Sequence, residues 1–383
     1  MRILFVNRMA SIVRGGGETF DLEISRYLQK LGCEVVFLSG IPLFGSAAIP
    51  VTHAPSHTLR TPYLGWLRWD QIRGGWRLRV AEFHLFETAA ARWAMHTKEP
   101  FDIVQVCELP TFVDRWKRAR MKQPVVMRLT APNFHDPTGA VNRADGVIAS
   151  GMTLMQAQGR IHRECVNVPN AVDTELFHPH ASDFRARYGI ADSTFVVLYV
   201  ARFQGFKNHK MLLRAFTQFL DRKPDSLLVL AGSGPLEPEI RAAAATSGIA
   251  EKVLFLGESP FHELPAVYAA CDLKVISSDY ESFCFAALEA MATELPLVAT
   301  DTGWVPRLIE RDQGGRVVPR GEAEAMAGAM LELAGNALLR KRMGTWNRKR
   351  VLEQFGWESS ARKLLALYQG LLDSRLAPSV EVL

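Results

Sequence analysis

Glu281 and Glu289 stand eight residues apart, flanking Ser282-Phe283-Cys284-Phe285-Ala286-Ala287-Leu288 between two apolar runs, Leu273 to Ile276 and Pro296 to Thr300. If Glu281 opens a helix, the two acids lie about 12 Å apart along its axis, at roughly 1.5 Å per residue. That separation suits a ligand with hydroxyl-bearing rings at both ends of a diphosphate, as in a nucleotide-sugar. The N–H groups of Phe283 and Cys284 then fall at the helix start, where backbone donors and the dipole favour an anion. Arg202 and Lys207 supply two cations from a separate loop. Paired acids on a helix are commonly solvated, so the context matters. Ala286, Ala287, Leu288, Ala290, Met291 and Ala292 surround Glu289 with apolar residues. A helix apolar nearly all round is buried, and a carboxylate inside it needs a partner or a ligand.

These residues need elements to hold them. In the first half, Ile3 to Val6, Glu34 to Leu38, Ile103 to Val106, Val125 to Leu129 and Gly146 to Ala149 read as strands. Helices are expected over Glu18 to Lys30 and Val80 to His96, with an irregular stretch from Ile41 to about Arg77. Pro169 to Pro179 reads as a linker, dense in Pro, Asn, Asp and His. The scheme then restarts, with strands over Phe195–Val200, Leu227–Ala231, Lys252–Leu256, Leu273–Ile276 and Leu297–Ala299. The helices between them are expected over Lys210–Phe219, Glu237–Ser247, Leu264–Cys271 and Phe283–Ala292. Continuous apolar strands separated by helices imply parallel sheets covered on both faces. The expected fold is α/β: two Rossmann-like doubly wound domains facing across a cleft. The first spans 1–175, and the second spans 180–355. Ligands in such sheets bind beyond the carboxyl ends of the strands. The acids and cations all fall at strand-to-helix turns of the second half.

Gly15-Gly16-Gly17 follows the first strand and leads into a helix with Glu18 in its first turn. Glycines there let a backbone approach a phosphate or sugar closely, or simply make the turn. A dinucleotide-binding oxidoreductase also places glycines after its first strand. Here the three glycines are adjacent, not Gly-x-Gly-x-x-Gly, and the second strand ends at Leu38-Ser39-Gly40 with no acid for a ribose.

Composition sets outer bounds. The chain has 383 residues, 48% hydrophobic and 22% charged, as in ordinary globular proteins, and its length suits two domains. No apolar run approaches the roughly 20 residues of a membrane span. Met1-Arg2-Ile3-Leu4-Phe5-Val6 reads as a strand and not as a signal peptide. Five widely spaced cysteines without a Cys-x-x-Cys pair point to reduced thiols in a cytosolic protein and to no zinc site. The net charge of +5 is unevenly spread. Arg60, Arg68, Arg73, Arg77 and Arg79 share a segment with Trp66, Trp69 and Trp76. A second group, Arg115, Lys117, Arg118, Arg120 and Lys122, adjoins Trp116. Basic residues interleaved with tryptophan suit an anionic membrane surface or a polyanionic acceptor. The alternative is a solvated surface whose tryptophans cover a core edge. No nucleic-acid module accompanies the charge, so nucleic acid is not expected as a partner.

Tyr280-Glu281-Ser282-Phe283-Cys284-Phe285 through Leu288-Glu289-Ala290-Met291-Ala292, then Pro296-Leu297-Val298-Ala299-Thr300, resembles the signature of retaining glycosyltransferases of family 4, with the two-domain GT-B fold. Further matches run along nearly the whole chain. They are Gly16-Gly17-Glu18, Val168-Pro169-Asn170-Ala171-Val172-Asp173, Val200-Ala201-Arg202-Phe203 with Lys207-Asn208, Ala231-Gly232-Ser233-Gly234-Pro235, and Phe355-Gly356-Trp357-Glu358. The last resembles the start of a final helix, which the resemblance implies to span 357–383 and to pack back on the first domain. The resemblance implies that Glu281, Ser282 and the N–H groups of Phe283 and Cys284 hold the donor hexose and its phosphate. It implies that Glu289 binds the ribose, that Arg202 and Lys207 neutralise the leaving diphosphate, and that Gly16 and Gly17 form the glycine turn beside the donor.

This chain departs from the family pattern at Ser282 and Cys284, where glycine is usual, and at Trp304 and Arg307. Thr130 stands where a histidine commonly faces the reacting sugar. His135, beside Asp136, suits a turn, and Arg128 and Glu108 are acceptor-side candidates only. With no Asp-x-Asp motif, neither a metal nor a cofactor is expected. The expected function is transfer of a hexose from a nucleotide-diphosphate sugar to a hydroxyl of a glycan or lipid-linked acceptor, in the cytoplasm or at the inner face of the cell membrane. The alternatives are a GT-B epimerase or phosphorylase, and a nucleotide-sugar-binding assembly protein without turnover.

Overall fold

The structure, a computed structural model, describes residues 1–12, 16–44, 49–63, 75–130, 135–157, 161 and 164–376. Packing divides the chain into two units, Met1–Asn170 with Trp357–Leu383, and Ala171–Gly356. Each is a parallel α/β sheet of the Rossmann type.

The first unit runs β1 (Arg2–Val6), α1 (Gly16–Lys30), β2 (Glu34–Pro42), β3 (Ser56–Thr61), α2 (Gly75–His96), β4 (Ile103–Cys107), α3 (Pro110–Arg118), β5 (Val125–Arg128), β6 (Gly146–Ala149), α4 (Gly151–Ala157) and β7 (Cys165–Asn167). Its strands lie in the order β3-β2-β1-β4-β5-β6-β7, every pair parallel. The central strands are short runs of Val, Ile, Leu and Phe buried on both faces, which is why their sequence shows no polar alternation. On one face Leu4, Val6, Val104, Val106 and Met127 pack with Phe86 of α2 and Phe112 and Trp116 of α3.

The second unit runs α5 (Phe184–Arg187), β8 (Phe195–Val200), α6 (His209–Leu220), β9 (Ser226–Ala231), α7 (Glu237–Thr246), β10 (Val253–Gly257), α8 (Leu264–Ala269), β11 (Leu273–Ile276), α9 (Phe285–Ala292), β12 (Leu297–Thr300), α10 (Val305–Leu308), β13 (Gly315–Val318), α11 (Ala323–Gly335) and α12 (Ala337–Gln354). Its six strands are ordered β10-β9-β8-β11-β12-β13. The period of two is visible in β8: Val196 and Leu198 enter the core under α9, whereas Phe195, Val197 and Tyr199 enter the core under α6 and α11.

After α12 the chain returns to the first unit as α13 (Trp357–Leu376). Trp357 packs edge-on to Phe20 of α1, with ring centroids 5.7 Å apart, and the Tyr368 hydroxyl donates to Gln105 Oε1 at 2.5 Å.

Two expectations are corrected. The stretch from Ile41 to Arg77 is not wholly irregular, because it contains β3 and the start of α2 at Gly75. The strand β3, Ser-His-Thr-Leu-Arg-Thr, is a mostly exposed sheet edge and carries no apolar run to announce it. The terminal strands β7 and β13 add two edges that the sequence reading lacks. Arg68, Arg73, Trp66 and Trp69 lie outside the described residues, as does the Trp76 side chain. Among the described residues no helix is long and apolar enough to cross a membrane.

Candidate functional site

The loop after β8 is built against its neighbours. Ala201 N donates to Ala231 O at 3.0 Å and Phe203 N to Ser233 O at 2.9 Å, tying it to the turn after β9. That turn must come very close. A Cβ on Gly232 would lie 2.1 Å from the Ala201 carbonyl oxygen and one on Gly234 2.6 Å from that of Phe203, and both glycines hold positive φ. Arg202 is exposed on this loop. Gly205–Lys207 then makes a 3-10 turn that delivers Lys207 just before α6. Asn208 caps α6, accepting from Met211 N at 3.2 Å, while its Nδ2 donates to Asp279 Oδ1 at 2.9 Å. The Lys207 carbonyl accepts from the Tyr199 hydroxyl at 2.7 Å and from Ser277 Oγ at 2.9 Å. Two hydroxyls thus fix the backbone that carries the lysine.

The turn between β11 and α9 supplies the other half. Lys207 Nζ donates to Glu281 Oε1 at 2.6 Å, and Ser278 Oγ donates to the same oxygen at 2.7 Å. The two charged side chains are 18% and 10% exposed, so the pair is partly shielded yet open to a ligand. Gly303, at φ 55, lies under the Glu281 carbonyl, where a Cβ would sit 1.7 Å from that oxygen. Here the expected helix start is corrected. The helix begins at Phe285, not Phe283, and Glu281 lies in the turn four residues earlier. Cys284 has φ 76 and ψ 85, a left-handed conformation that stops the helix extending backwards. The expected axial spacing of the two acids fails with it. Phe283 is buried against Phe355, with ring centroids 6.0 Å apart, and Ser282 precedes it in the turn.

Beneath this turn lies a group of buried polar side chains. Glu289 is 9% exposed and has a partner, the Tyr268 hydroxyl, which donates to Oε2 at 2.6 Å. Burial raises the Glu289 pKa, opposed by that hydrogen bond and by Lys274. Lys274 is fully buried, and burial pushes its ammonium down to about 8. His209 is packed between the rings of Tyr199 and Phe203, with centroids 4.9 and 4.6 Å away, and burial with two nearby lysines lowers it to about 4. Burial also pushes the Cys284 thiol up to about 12, so it is no thiolate nucleophile.

In the first unit, Gly16 and Gly17 open α1, and Gly15 lies outside the described residues. A Cβ on Gly17 would meet Thr130 at 3.5 Å, an ordinary contact, so packing alone does not demand glycine there. Arg128 is not an open acceptor-side group. It is buried, with Nε 2.8 Å from Asp21 Oδ1 and Nη2 donating to the Gly17 carbonyl at 2.6 Å, and so it anchors the start of α1. Glu108, at φ 51, accepts from Thr130 N at 2.5 Å. His135 is exposed beside Asp136, whose carboxylate caps the Ala140 and Val141 amides at 2.9 Å each. Trp116 is a core residue stacked on Phe112 at 5.6 Å, not a surface partner for the basic residues around it.

The structure therefore joins Lys207 to Glu281 and sets Glu289 beneath them in the same unit, while Gly16 and Gly17 belong to the other unit. Sequence reasoning missed Ser278, Tyr199, Tyr268 and Lys274. Only Lys274 left a signal, a lysine inside an apolar strand run. Among the described residues no cluster of three His, Cys, Asp or Glu is arranged to hold a metal ion.

Residues 181–350 match the family described as glycosyl transferases group 1. Over 215 residues the chain is 34% identical to D-inositol 3-phosphate glycosyltransferase of Corynebacterium jeikeium (strain K411), covering 53% of this chain and 51% of that protein. Over 221 residues it is 30% identical to GDP-mannose-dependent alpha-(1-6)-phosphatidylinositol monomannoside mannosyltransferase of Mycolicibacterium smegmatis, covering 55% of this chain and 58% of that protein. The chain thus spans about half the length of the curated relatives it matches. Among solved structures it is similar to sucrose-phosphate synthase from Thermosynechococcus elongatus, with TM-score 0.80, 20% identity, and 97% and 99% of the two chains covered. It is also similar to Anabaena Alr3699/HepE in complex with UDP, with TM-score 0.77, 21% identity, and 97% and 100% covered. At these identities the likeness is one of fold, the two-domain GT-B arrangement.

Proposed function

Residues 181–350 match the glycosyl transferases group 1 family, and from that premise we propose that the protein is a retaining glycosyltransferase. It moves a hexose from a nucleotide-diphosphate sugar to a hydroxyl of a glycan or lipid-linked acceptor. The observation that carries this reading is the Lys207–Glu281 pair, 2.6 Å apart and held on two separate strand-to-helix loops. As the bond from the anomeric carbon to the diphosphate breaks, negative charge grows on the leaving oxygen. Lys207 and Arg202 on one loop and the amides at the start of α9 on the other meet that charge, and fixed charges of this kind often supply most of an enzyme's rate enhancement. Glu281 orients both Lys207 and the hexose hydroxyls, and Glu289 with Tyr268 takes the ribose end. No metal enters this reading, because the cations named do the neutralising.

Glu281→Ala and Lys207→Ala are each expected to lower kcat by at least about a hundredfold while leaving a folded protein, the scale of losing a fixed transition-state charge. Turnover near that of the wild type in both variants removes the pair from the mechanism. A thermal-shift screen across nucleotide-sugars identifies the donor, since a ligand at about 100 times its dissociation constant adds roughly 2.7 kcal/mol.

The proposal includes a peripheral contact with an anionic membrane at the cytoplasmic face. On α2, Leu78 and Leu85 are each 53% exposed and share the helix with exposed Arg77 and Arg79. Elsewhere in the same unit a cavity of about 480 Å³ is lined by His84, Thr111, Asp114, Arg115 and Arg118. Exposed leucines flanked by arginines on one helix suit an anionic lipid surface. Flotation with anionic vesicles is expected to carry the protein at low salt and release it at high salt, and failure to float at low salt removes the membrane contact.

A further inference from the structure

Lys274 is the charged group of the second unit that the proposed transfer leaves without a task. It stands in the middle of β11, 0% exposed, and its Nζ has no hydrogen-bond partner among the described residues. The nearest support is the faces of two rings, Tyr199 at 5.1 Å and Tyr268 at 5.9 Å. Rings attract an ammonium but do not replace its water. Its titratable and charged neighbours come from every side: Tyr199 from β8, Lys207 from the following loop, His209 from α6, Tyr268 and Cys271 from α8 and its end, Cys284 from the turn, and Glu289 from α9. Burial raises the phenols of Tyr199 and Tyr268 and the thiols of Cys271 and Cys284, so all four stay neutral at working pH. Burial and the lysines keep His209 neutral as well. What remains is Lys207 with its partner Glu281, and Lys274 itself beside the Glu289 carboxyl, whose pKa burial raises. Glu281 and, more weakly, Lys207 and Lys274 all act on Cys284, the residue that caps α9, so this buried amine lies within electrostatic reach of the place where the diphosphate is proposed to sit.

Resting on that donor reading, we propose that Lys274 is the proton-accepting counter-charge of the donor site: a nucleoside diphosphate bound at the Phe283–Phe285 turn draws a proton onto the Lys274 amine, and donor affinity therefore falls as that amine loses its proton. The proton comes from the buffer and goes to the nitrogen lone pair, and no covalent bond to the ligand forms or breaks. Burial holds the free ammonium down to about 8, so near pH 8.5 most free molecules carry a neutral amine. A multiply charged anion then favours the protonated form. Lys274 acts through the field it adds beneath the turn, without touching the reacting atoms, and is a positioning residue.

Isothermal titration of UDP and of GDP into the full chain, in two buffers of different ionisation heat, reads the proton directly. Both nucleotides are fully ionised at pH 8.5, so any uptake belongs to the protein. The wild type is expected to take up more than about half a proton per nucleotide at pH 8.5 and clearly less at pH 7.5, still above the range in which a terminal phosphate titrates, and its Kd to rise about tenfold between pH 7 and pH 9. Lys274→Met is expected to show no buffer-dependent heat and a flat Kd over that range. Lys274→Gln serves as a second variant should the methionine protein lose its fold by circular dichroism. Nucleotide binding without proton uptake in the wild type, or uptake undiminished in the folded variants, overturns the role of Lys274 and leaves the donor site standing. Absence of binding by either nucleotide, or by any other nucleoside diphosphate in the same titration, removes the donor reading and this inference with it.

Discussion

Lys274 also bears on stability. An unfolded chain keeps a lysine protonated to about pH 10.4, whereas in this fold burial brings the ammonium down to about 8. Between those values the unfolded chain binds more protons, so stability rises with pH across that window, and the cost of burial is fully present below pH 8. Lys274→Met removes the charge but keeps the length of the side chain. The variant is expected to melt higher than the wild type at pH 7, by a margin on the order of 3 kcal/mol in stability. The margin should shrink as the pH approaches 10. Scanning calorimetry at pH 7 and pH 10 reads it, and a variant that melts lower at pH 7 argues against a charged amine in the core. At this scale the sequence was partly legible. Glu281 and Lys207 emerged from their types and from the turns they occupy. Tyr268 and Ser278 did not, because a tyrosine in a helix and a serine after a strand differ from structural residues only once the carboxylates they touch are located.

Among the elements, α3 carries a titratable lock at its start. Phe112 N, in the first turn, donates to Glu87 Oε2 of α2 at 3.0 Å. Burial pushes this carboxyl up to about 7 despite the hydrogen bonds it accepts. Its folded pKa exceeds its unfolded one, so its contribution is full below about pH 4.3 and is lost as the pH rises through 7. Glu87→Gln keeps an acceptor for the amide and cannot ionise. It is expected to be more stable than the wild type at pH 8, by on the order of 3 kcal/mol, with little difference at pH 4.5. Urea unfolding at the two pH values checks the sign. The central strands were legible because apolar runs of four to six residues have few other uses in a chain of this composition. The strand β3 was not, since an exposed edge needs no apolar sequence. The start of α9 was misplaced by two residues because propensity does not register that Cys284 adopts φ 76. A glycine at that position would meet the same backbone without a Cβ, whereas this cysteine holds a conformation costing about 1 to 2 kcal/mol for an L-residue.

At the level of the whole molecule, the second unit is self-sufficient in a way the first is not. Ala171–Gly356 contains its sheet and the helices that cover both faces. The first unit borrows α13 from beyond the second. Gly146 of β6 has Leu371 of that helix close enough that an added Cβ would approach it to 3.3 Å, and Phe20 and Gln105 likewise depend on it. Residues 171–356 expressed alone are expected to unfold cooperatively by circular dichroism. Residues 1–170 alone are expected to lack a cooperative transition and to regain one when 357–376 is joined to them through a short linker. A cooperative transition in 1–170 alone would mean that α13 is dispensable.

The placement of α13 also orders events during synthesis. Helix α1 leaves the ribosome early, but Trp357, which covers its Phe20, follows only after all 186 residues of Ala171–Gly356. The unit made second is therefore free to close first, while the one begun first waits with an uncovered apolar helix face. Through that interval the nascent chain presents the kind of surface that a trigger-factor-like chaperone holds, and slowing translation within the second unit would lengthen the exposure.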